Sequence, residues 1–241
     1  MTIAGKTVLV TGANRGIGQA LVEEALSRGA ARVYAGTRRP YAHPDPRVTV
    51  LPLEITDQGQ VRAAAVRAGS LDILVNNAGV FVFDDLSDRE ALERHLSVNL
   101  FGTYAVIQAF LPSLIDSGGA IVNNVSIASL APIPVTPAYS LSKAAAFSLT
   151  QSLRMLLAGQ GVRVHAVLTG PVDTDMVRAL DIPKASAQSV ARGIFDGVGR
   201  GEEDIFPDPL SATLADAWHA GPAKALERQN AALLQPQPVT S

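Results

Sequence analysis

Thr7-Val8-Leu9-Val10 is a short apolar, β-favouring run that passes directly into Thr11-Gly12-Ala13-Asn14-Arg15-Gly16-Ile17-Gly18, within which a helix begins. Glycines at Gly12, Gly16 and Gly18 permit a tight turn there. They let backbone N–H groups approach a pyrophosphate at the helix N-terminus, where the dipole is positive. The stretch reads as strand, phosphate cradle and helix. Further apolar runs follow at residues 32–35, 49–53, 72–75, 120–125 and 163–168, most of them separated by Ala/Leu-rich stretches of helical spacing. That alternation implies βαβ units. Continuous apolar strands are covered on both faces, so the expected fold is α/β: a doubly wound parallel sheet in three layers with right-handed crossovers.

The longest periodic segments, residues 101–115 and 138–158, are expected to be helices, the second opening after Pro137. Beyond residue 180 the pattern weakens. Residues 185–198 read as a helix, Asp204-Ile205-Phe206 as a short strand stopped by Pro207, and 211–234 as a helix interrupted near Gly221-Pro222. One domain over residues 1–234 is expected, with a frayed tail at 235–241 that carries two prolines.

The 241 residues are 47% hydrophobic and 17% charged, with a formal charge of -2, so no overall basic field supports a nucleic-acid or anionic-membrane partner. The chain has no cysteine, which excludes disulfides, thiol catalysis and thiolate metal sites and favours a cytoplasmic address. No signal peptide is evident at the start, and no apolar stretch of membrane-spanning length is expected. His43, His95, His165 and His219 lack metal-ligand spacing, so no metal is expected.

Tyr139-Ser140-Leu141-Ser142-Lys143 places a phenol and an ammonium at i and i+4, on one face of a helix. An ammonium beside a phenol favours the phenolate, so Lys143 is expected to lower the Tyr139 pKa toward working pH, as a general acid/base requires. Ser126 lies thirteen residues earlier, at the end of the fifth strand. Its hydroxyl could hydrogen-bond a carbonyl oxygen as negative charge develops. Ser129 competes for that role but reads better as loop structure.

The spacing G-x-x-x-G-x-G from Gly12 to Gly18, together with Asn76-Asn77-Ala78-Gly79, Ser126 and Tyr-x-x-x-Lys, resembles the short-chain dehydrogenase/reductase family. The resemblance spans about residues 7 to 176 and implies a Rossmann-type nucleotide fold. It implies Tyr139 as general acid/base, Lys143 as its partner and a ligand of the nicotinamide ribose, Ser126 as substrate-orienting, and Asn99 as a helix-breaking residue that holds a proton-path water. It further implies cofactor contacts from Gly12, Asn14, Arg15, Gly16, Ile17, Gly18, Thr37, Arg38, Glu54, Ile55, Asn77, Ala78, Gly79, Gly170, Val172 and Thr174. In that family an acid at the end of the second strand selects NAD. Thr37 stands there instead, with Arg38 following and Arg15 in the turn, so two guanidiniums could converge on a 2′-phosphate and NADP(H) is expected.

Glu54 replaces the family's usual Asp, and Thr169 the usual Pro before Gly170. The implied reaction is hydride transfer between NADPH and a ketone or aldehyde. Phe81, Ile127, Ile133, Val135, Met176 and Leu180 are candidate apolar pocket residues that favour a hydrophobic substrate. Alcohol oxidation as the main direction, isomerase or dehydratase chemistry, and NADP(H) binding without turnover stay open. Residues from about 175 to 234 depart from the family's usual ending, with Glu202-Glu203-Asp204-Ile205-Phe206-Pro207-Asp208-Pro209 and a polar helix in its place. A homodimer or homotetramer through the two central helices is expected.

Overall fold

The computed structural model describes residues 1–178 and 180–233. Leu234 and the tail expected at 235–241 lie outside them. The chain alternates strands and helices: β1 (Thr7–Thr11), α1 (Gly16–Ser27), β2 (Arg32–Thr37), β3 (Val48–Pro52), α2 (Gln58–Ala68), β4 (Ile73–Asn76) and α3 (Arg89–Leu96). There follow α4 (Thr103–Ser117), β5 (Ala120–Asn124), α5 (Pro137–Leu157), β6 (Arg163–Val167), α6 (Ala187–Arg200), β7 (Asp204–Ile205), α7 (Pro209–Ala212), α8 (Ala215–Ala220) and α9 (Pro222–Ala232). Every strand pairs in parallel in the order β3-β2-β1-β4-β5-β6-β7. The chain moves outward one way from β1 and then returns to build the other half from β4. The crevice outside the carboxyl ends of β1 and β4 is therefore the switch point where such sheets take ligands.

Period-two alternation splits the core. Val8 and Val10 of β1 face α1 and α6 with Leu21, Ile194 and Phe195, while Leu9 faces α2, α4 and α5 with Val61, Phe110 and Leu153. Both faces are apolar because helices cover both.

The first central helix begins later than its periodicity predicts. Ser97–Gly102 forms a π-helical turn ahead of α4. Gly102 packs so closely on Ile55 that a Cβ there would lie 2.8 Å from its Cγ1. Together α3, this turn and α4 make a continuous helical rod of 29 residues, Arg89–Ser117, long and apolar enough by length and composition to cross a membrane. That corrects the expectation that no apolar stretch reaches such a length. Val106, Ile107, Phe110 and Leu114 of the rod are buried in the core face it shares with the sheet. The segment expected as one interrupted helix after residue 211 is three short helices, because the Asp208 carboxylate caps α7 early and Gly221-Pro222 restarts the chain as α9.

Candidate active site

Gly12 and Gly16 both have positive φ, +66° and +55°. A Cβ on Gly12 would lie 2.9 Å from Ala78 Cα, and one on Gly16 would meet Thr174 Cγ2 at 3.0 Å. The glycine turn is thus pressed between the end of β4 and the segment after β6. Arg15 at the N-cap of α1 is extended and makes no side-chain cap bond. The first-turn N–H groups keep the unsatisfied donors and positive end of a helix, which fits a dinucleotide pyrophosphate.

A chain of polar side chains runs across the carboxyl edge of the sheet. Thr11 Oγ1 accepts from the amides of Asn77 and Ala78, each at 3.0 Å, and Asn77 Nδ2 donates to Thr11 O at 3.1 Å. Asn124 Nδ2 reaches Asn77 Oδ1 at 3.2 Å, and Thr169 donates to Asn124 Oδ1. Beneath it, Asn76 Nδ2 donates to Asn123 Oδ1 at 2.9 Å, and Asn123 Nδ2 to Thr150 Oγ1 at 3.0 Å. These bonds tie β1, β4, β5 and α5 where the ligand crevice opens. Thr169, in the place of the family's proline, adds a donor that proline lacks.

Tyr139 and Lys143 lie one turn apart on α5, both buried, with Lys143 Nζ 5.6 Å from the centre of the phenol ring. Lys143 Nζ donates to Asn124 O at 2.8 Å. Ser126 holds a φ of +96°, a strained value for serine, at the turn that leaves β5. Its Oγ accepts from Ala128 N at 3.2 Å, and Ser129 Oγ donates to its carbonyl at 2.6 Å. Phe81 stands edge-on to the phenol with ring centres 5.1 Å apart.

Removal from water is the largest influence on both titrating groups. It pushes the Tyr139 phenol up to about 12, although the nearby Ser126 side chain pulls the other way. It brings the Lys143 ammonium down to about 8. The direction expected for Tyr139 is therefore reversed: the phenol is held neutral, in its proton-donating form.

Asn99 lies in the π-helical turn, and its side chain is fully committed. Oδ1 accepts from Val80 N at 2.9 Å, while Nδ2 donates to Val80 O at 3.0 Å and to Ser142 Oγ at 2.9 Å. It clamps the strand exit after Gly79 to α5. His95 nearby is fully buried, its Nε2 accepting from Val82 N at 3.1 Å and its Nδ1 bonded to Ala91 O at 2.8 Å, so it braces the same wall.

The two arginines each meet a carboxylate. Arg15 Nη1 pairs with Asp175 Oδ2 at 2.9 Å, and Arg38 Nη1 lies 3.6 Å from Glu54 Oε2. Thr37 is buried, its hydroxyl donating to Arg39 O at 3.1 Å, which shapes the turn that carries Arg38. Glu54 Oε1 accepts from the amide and hydroxyl of Thr56, at 3.3 and 3.1 Å, and Ile55 is buried against Gly102. Thr174 Oγ1 donates to Val172 O at 3.2 Å, and Val172 forms a parallel bridge with Ala185.

Of the apolar pocket candidates, Ile127 and Ile133 line a cleft against α8 and α9, whereas Val135 and Met176 are exposed. Sequence reasoning passed over Asn123, Asn124, Asp175 and Asp208. The Asn123-Asn124 pair at the end of an apolar strand was a readable signal, since amides there must find partners. Asp208 carried none, yet its carboxylate accepts from Gly170 N at 2.8 Å and from Ser211 Oγ at 2.7 Å.

The family model for short chain dehydrogenase matches residues 6–184. The chain is 34% identical over 206 residues to a sorbitol dehydrogenase of Cereibacter sphaeroides, covering 80% of each chain. It is 33% identical over 207 residues to a 2-(R)-hydroxypropyl-CoM dehydrogenase of Xanthobacter autotrophicus, covering 78% of this chain and 83% of that one. A short chain dehydrogenase from Burkholderia cenocepacia, solved in complex with NADP, superposes with a TM-score of 0.86 at 37% identity, covering 95% of this chain and 99% of that one. Fold, glycine turn and relatives agree, and the chain belongs to the short chain dehydrogenase family of oxidoreductases.

Proposed function

We propose that the protein is an NADP(H)-dependent carbonyl reductase acting on small, largely apolar ketones or aldehydes. The observation that carries this reading is the buried neutral Tyr139 hydroxyl, followed one helical turn later by Lys143 and close enough to Ser126 for that side chain to influence its titration. NADPH, when bound, supplies the hydride for the carbonyl carbon. Tyr139 gives its hydroxyl proton to the carbonyl oxygen, and Ser126 donates a hydrogen bond to that same oxygen as its charge grows. Lys143 holds a positive charge beside the phenol and stabilises the phenolate left behind, while Asn99 keeps α5 and the Val80 wall in register around it.

Gly12, Asn14, Gly16, Ile17 and Gly18 would carry the pyrophosphate, Ala78 and Gly79 the adenosine side, and Gly170, Val172 and Thr174 the nicotinamide end. The cofactor preference is supported by Thr37 in place of an acid and by Arg15 and Arg38 at the rim. The NADP held by the Burkholderia relative supports it too. Phe101, Tyr104, Leu141 and Leu156 are large apolar side chains exposed along the central helices, which supports a homo-oligomer built there.

A screen of NADPH oxidation across ketones, aldehydes and β-keto esters tests the activity, with Tyr139→Phe as control. Equal turnover by that variant overturns the reading. Relatives named for alcohol oxidation favour a second reading in which alcohol oxidation is the main direction. Running the assay with NADP and the matching alcohols separates the two, and cofactor binding with no turnover either way would leave a nucleotide-binding protein.

A further inference from the structure

The C-terminal segment beyond residue 184 lies outside the family match, yet it is built into the site end of the molecule. Asp208 is buried and bonds Gly170 N while capping α7 through Leu210 N and Ser211 N, at 3.2 and 3.0 Å. A Cβ on Gly170 would lie 2.7 Å from that carboxylate, so the turn and α7 are in direct contact. Farther on, Lys224 of α9 is 1% exposed and pairs with Glu203 and Asp204 at 2.7 Å and with Glu227 at 3.0 Å. Arg154 of α5 joins Asp204 at 2.8 Å and also pairs with Glu227. Trp218 of α8 donates its indole N–H to Asp204 at 2.8 Å and packs on Phe147 with ring centres 5.5 Å apart. Two cations and three carboxylates thus lock α8 and α9 in place, and the indole with them.

Between this locked wall and the turn that follows Ser126 lies a cleft of about 590 Å³. Its walls are Ile127, Leu130 and Ile133 on one side and Leu214, Trp218 and Pro222 on the other. Among the described residues no charged side chain lines it. The volume is that of a small-molecule site. The cleft lies next to the catalytic turn: Ile127 in its wall directly follows Ser126 in the chain, and the Ile127 amide donates to Thr169 O at 3.0 Å. The ion cluster behind it carries one more negative than positive charge, which disfavours an anionic occupant.

We infer that this cleft is the subsite for the apolar arm of the carbonyl substrate, so that the protein takes uncharged ketones or aldehydes bearing an alkyl chain or aryl ring. The inference rests on the carbonyl-reductase reading and assigns α8 and α9 the part of a specificity wall. An acidic or thioester-linked anionic chain is excluded from it.

Trp218 is the only tryptophan in the chain, so its fluorescence reports the cleft without any turnover. Titration of the NADP-bound protein with 2-decanone is expected to shift the Trp218 emission, while 2-butanone at equal concentration leaves it unchanged. In turnover assays kcat/KM should rise about fourfold per methylene along the 2-alkanone series. Leu214→Glu and Ala217→Glu, which place a charge on the cleft wall, should flatten that rise by lowering kcat/KM for 2-decanone far more than for 2-butanone. A fluorescence shift without reduction of any ketone keeps the subsite and sinks the reductase reading. No shift with 2-decanone and a chain-length dependence unaltered by both variants overturn the subsite. So does a changed oligomeric state of Leu214→Glu in sedimentation with no ligand response, since the cleft is then an interface between copies.

Discussion

Lys143→Met is expected to make the protein more stable while abolishing its reductase activity. Lys143 is 8% exposed, and burial brings its ammonium from 10.5 down to about 8. That difference corresponds to about 3 kcal/mol that the folded state loses by keeping the charge buried. The sign follows from proton counts. Below pH 8 both folded and unfolded chains hold the proton and the penalty is complete. Between pH 8 and 10.5 the unfolded chain binds more protons than the folded one, so wild-type stability climbs and the penalty disappears. Methionine fills the same volume with an unbranched apolar chain and gives up the bond to Asn124 O, worth about 1 kcal/mol.

The net gain at pH 7 is therefore about 2 kcal/mol, or roughly 4–8 °C in Tm for a chain of this length. By pH 9.5 it should shrink to near zero. Thermal unfolding of both proteins at the two pH values, followed by circular dichroism, measures it. A variant no more stable than wild type at pH 7, or a gain equal at both pH values, refutes the claim that desolvation governs Lys143. The expected gain would make function the reason that a costly charge sits there.

Tyr139→Phe should lower kcat/KM for ketone reduction by about 10²–10⁴-fold while leaving NADPH affinity, read by cofactor fluorescence, intact. Arg38→Asp should weaken NADPH binding about tenfold and leave NADH nearly unchanged, since only the 2′-phosphate loses a partner; an unchanged preference removes Arg38 from cofactor choice. Asp175→Asn releases Arg15 from its ion pair and should tighten NADPH about two- to fivefold in the same titration. Lys224→Met leaves Arg154 as the single cation against the buried carboxylates of Asp204 and Glu227 and should cost about 3 kcal/mol, visible as a lower Tm.

Much of the site was legible because its signals are local. A strand running into glycines, an Asn-Asn-Ala-Gly at a strand end, and a phenol four residues before an ammonium each depend on spacing within one or two elements. The strand runs were found within a residue or two of their observed limits, and Lys143 stands beside Tyr139 as the helical period requires. Where the reading went astray, a distant part of the chain intervened. The first central helix opens as a π-turn because Gly102 meets Ile55 and Asn99 reaches back to Val80. The apolar part of the helical rod reaches membrane-spanning length because the π-turn runs on without a break into α4, which the periodicity of α4 by itself does not display.

From the sequence alone came a parallel α/β sheet, a glycine turn at its switch point and a tyrosine–lysine face on one helix. The tertiary structure alone decided how those groups are charged and what surrounds them. Tyr139 is held neutral rather than drawn toward phenolate because packing removes it from water, and burial is a property of the whole fold. Arg15 meets Asp175 across 160 positions of chain, and Asp208 reaches Gly170 across 38. The divergent C-terminal residues read as polar helix, and only their buried lysine, sealed by three carboxylates, makes them a wall beside Ser126. Periodicity records which face of an element is apolar; which partner covers that face is written only when the chain returns to it.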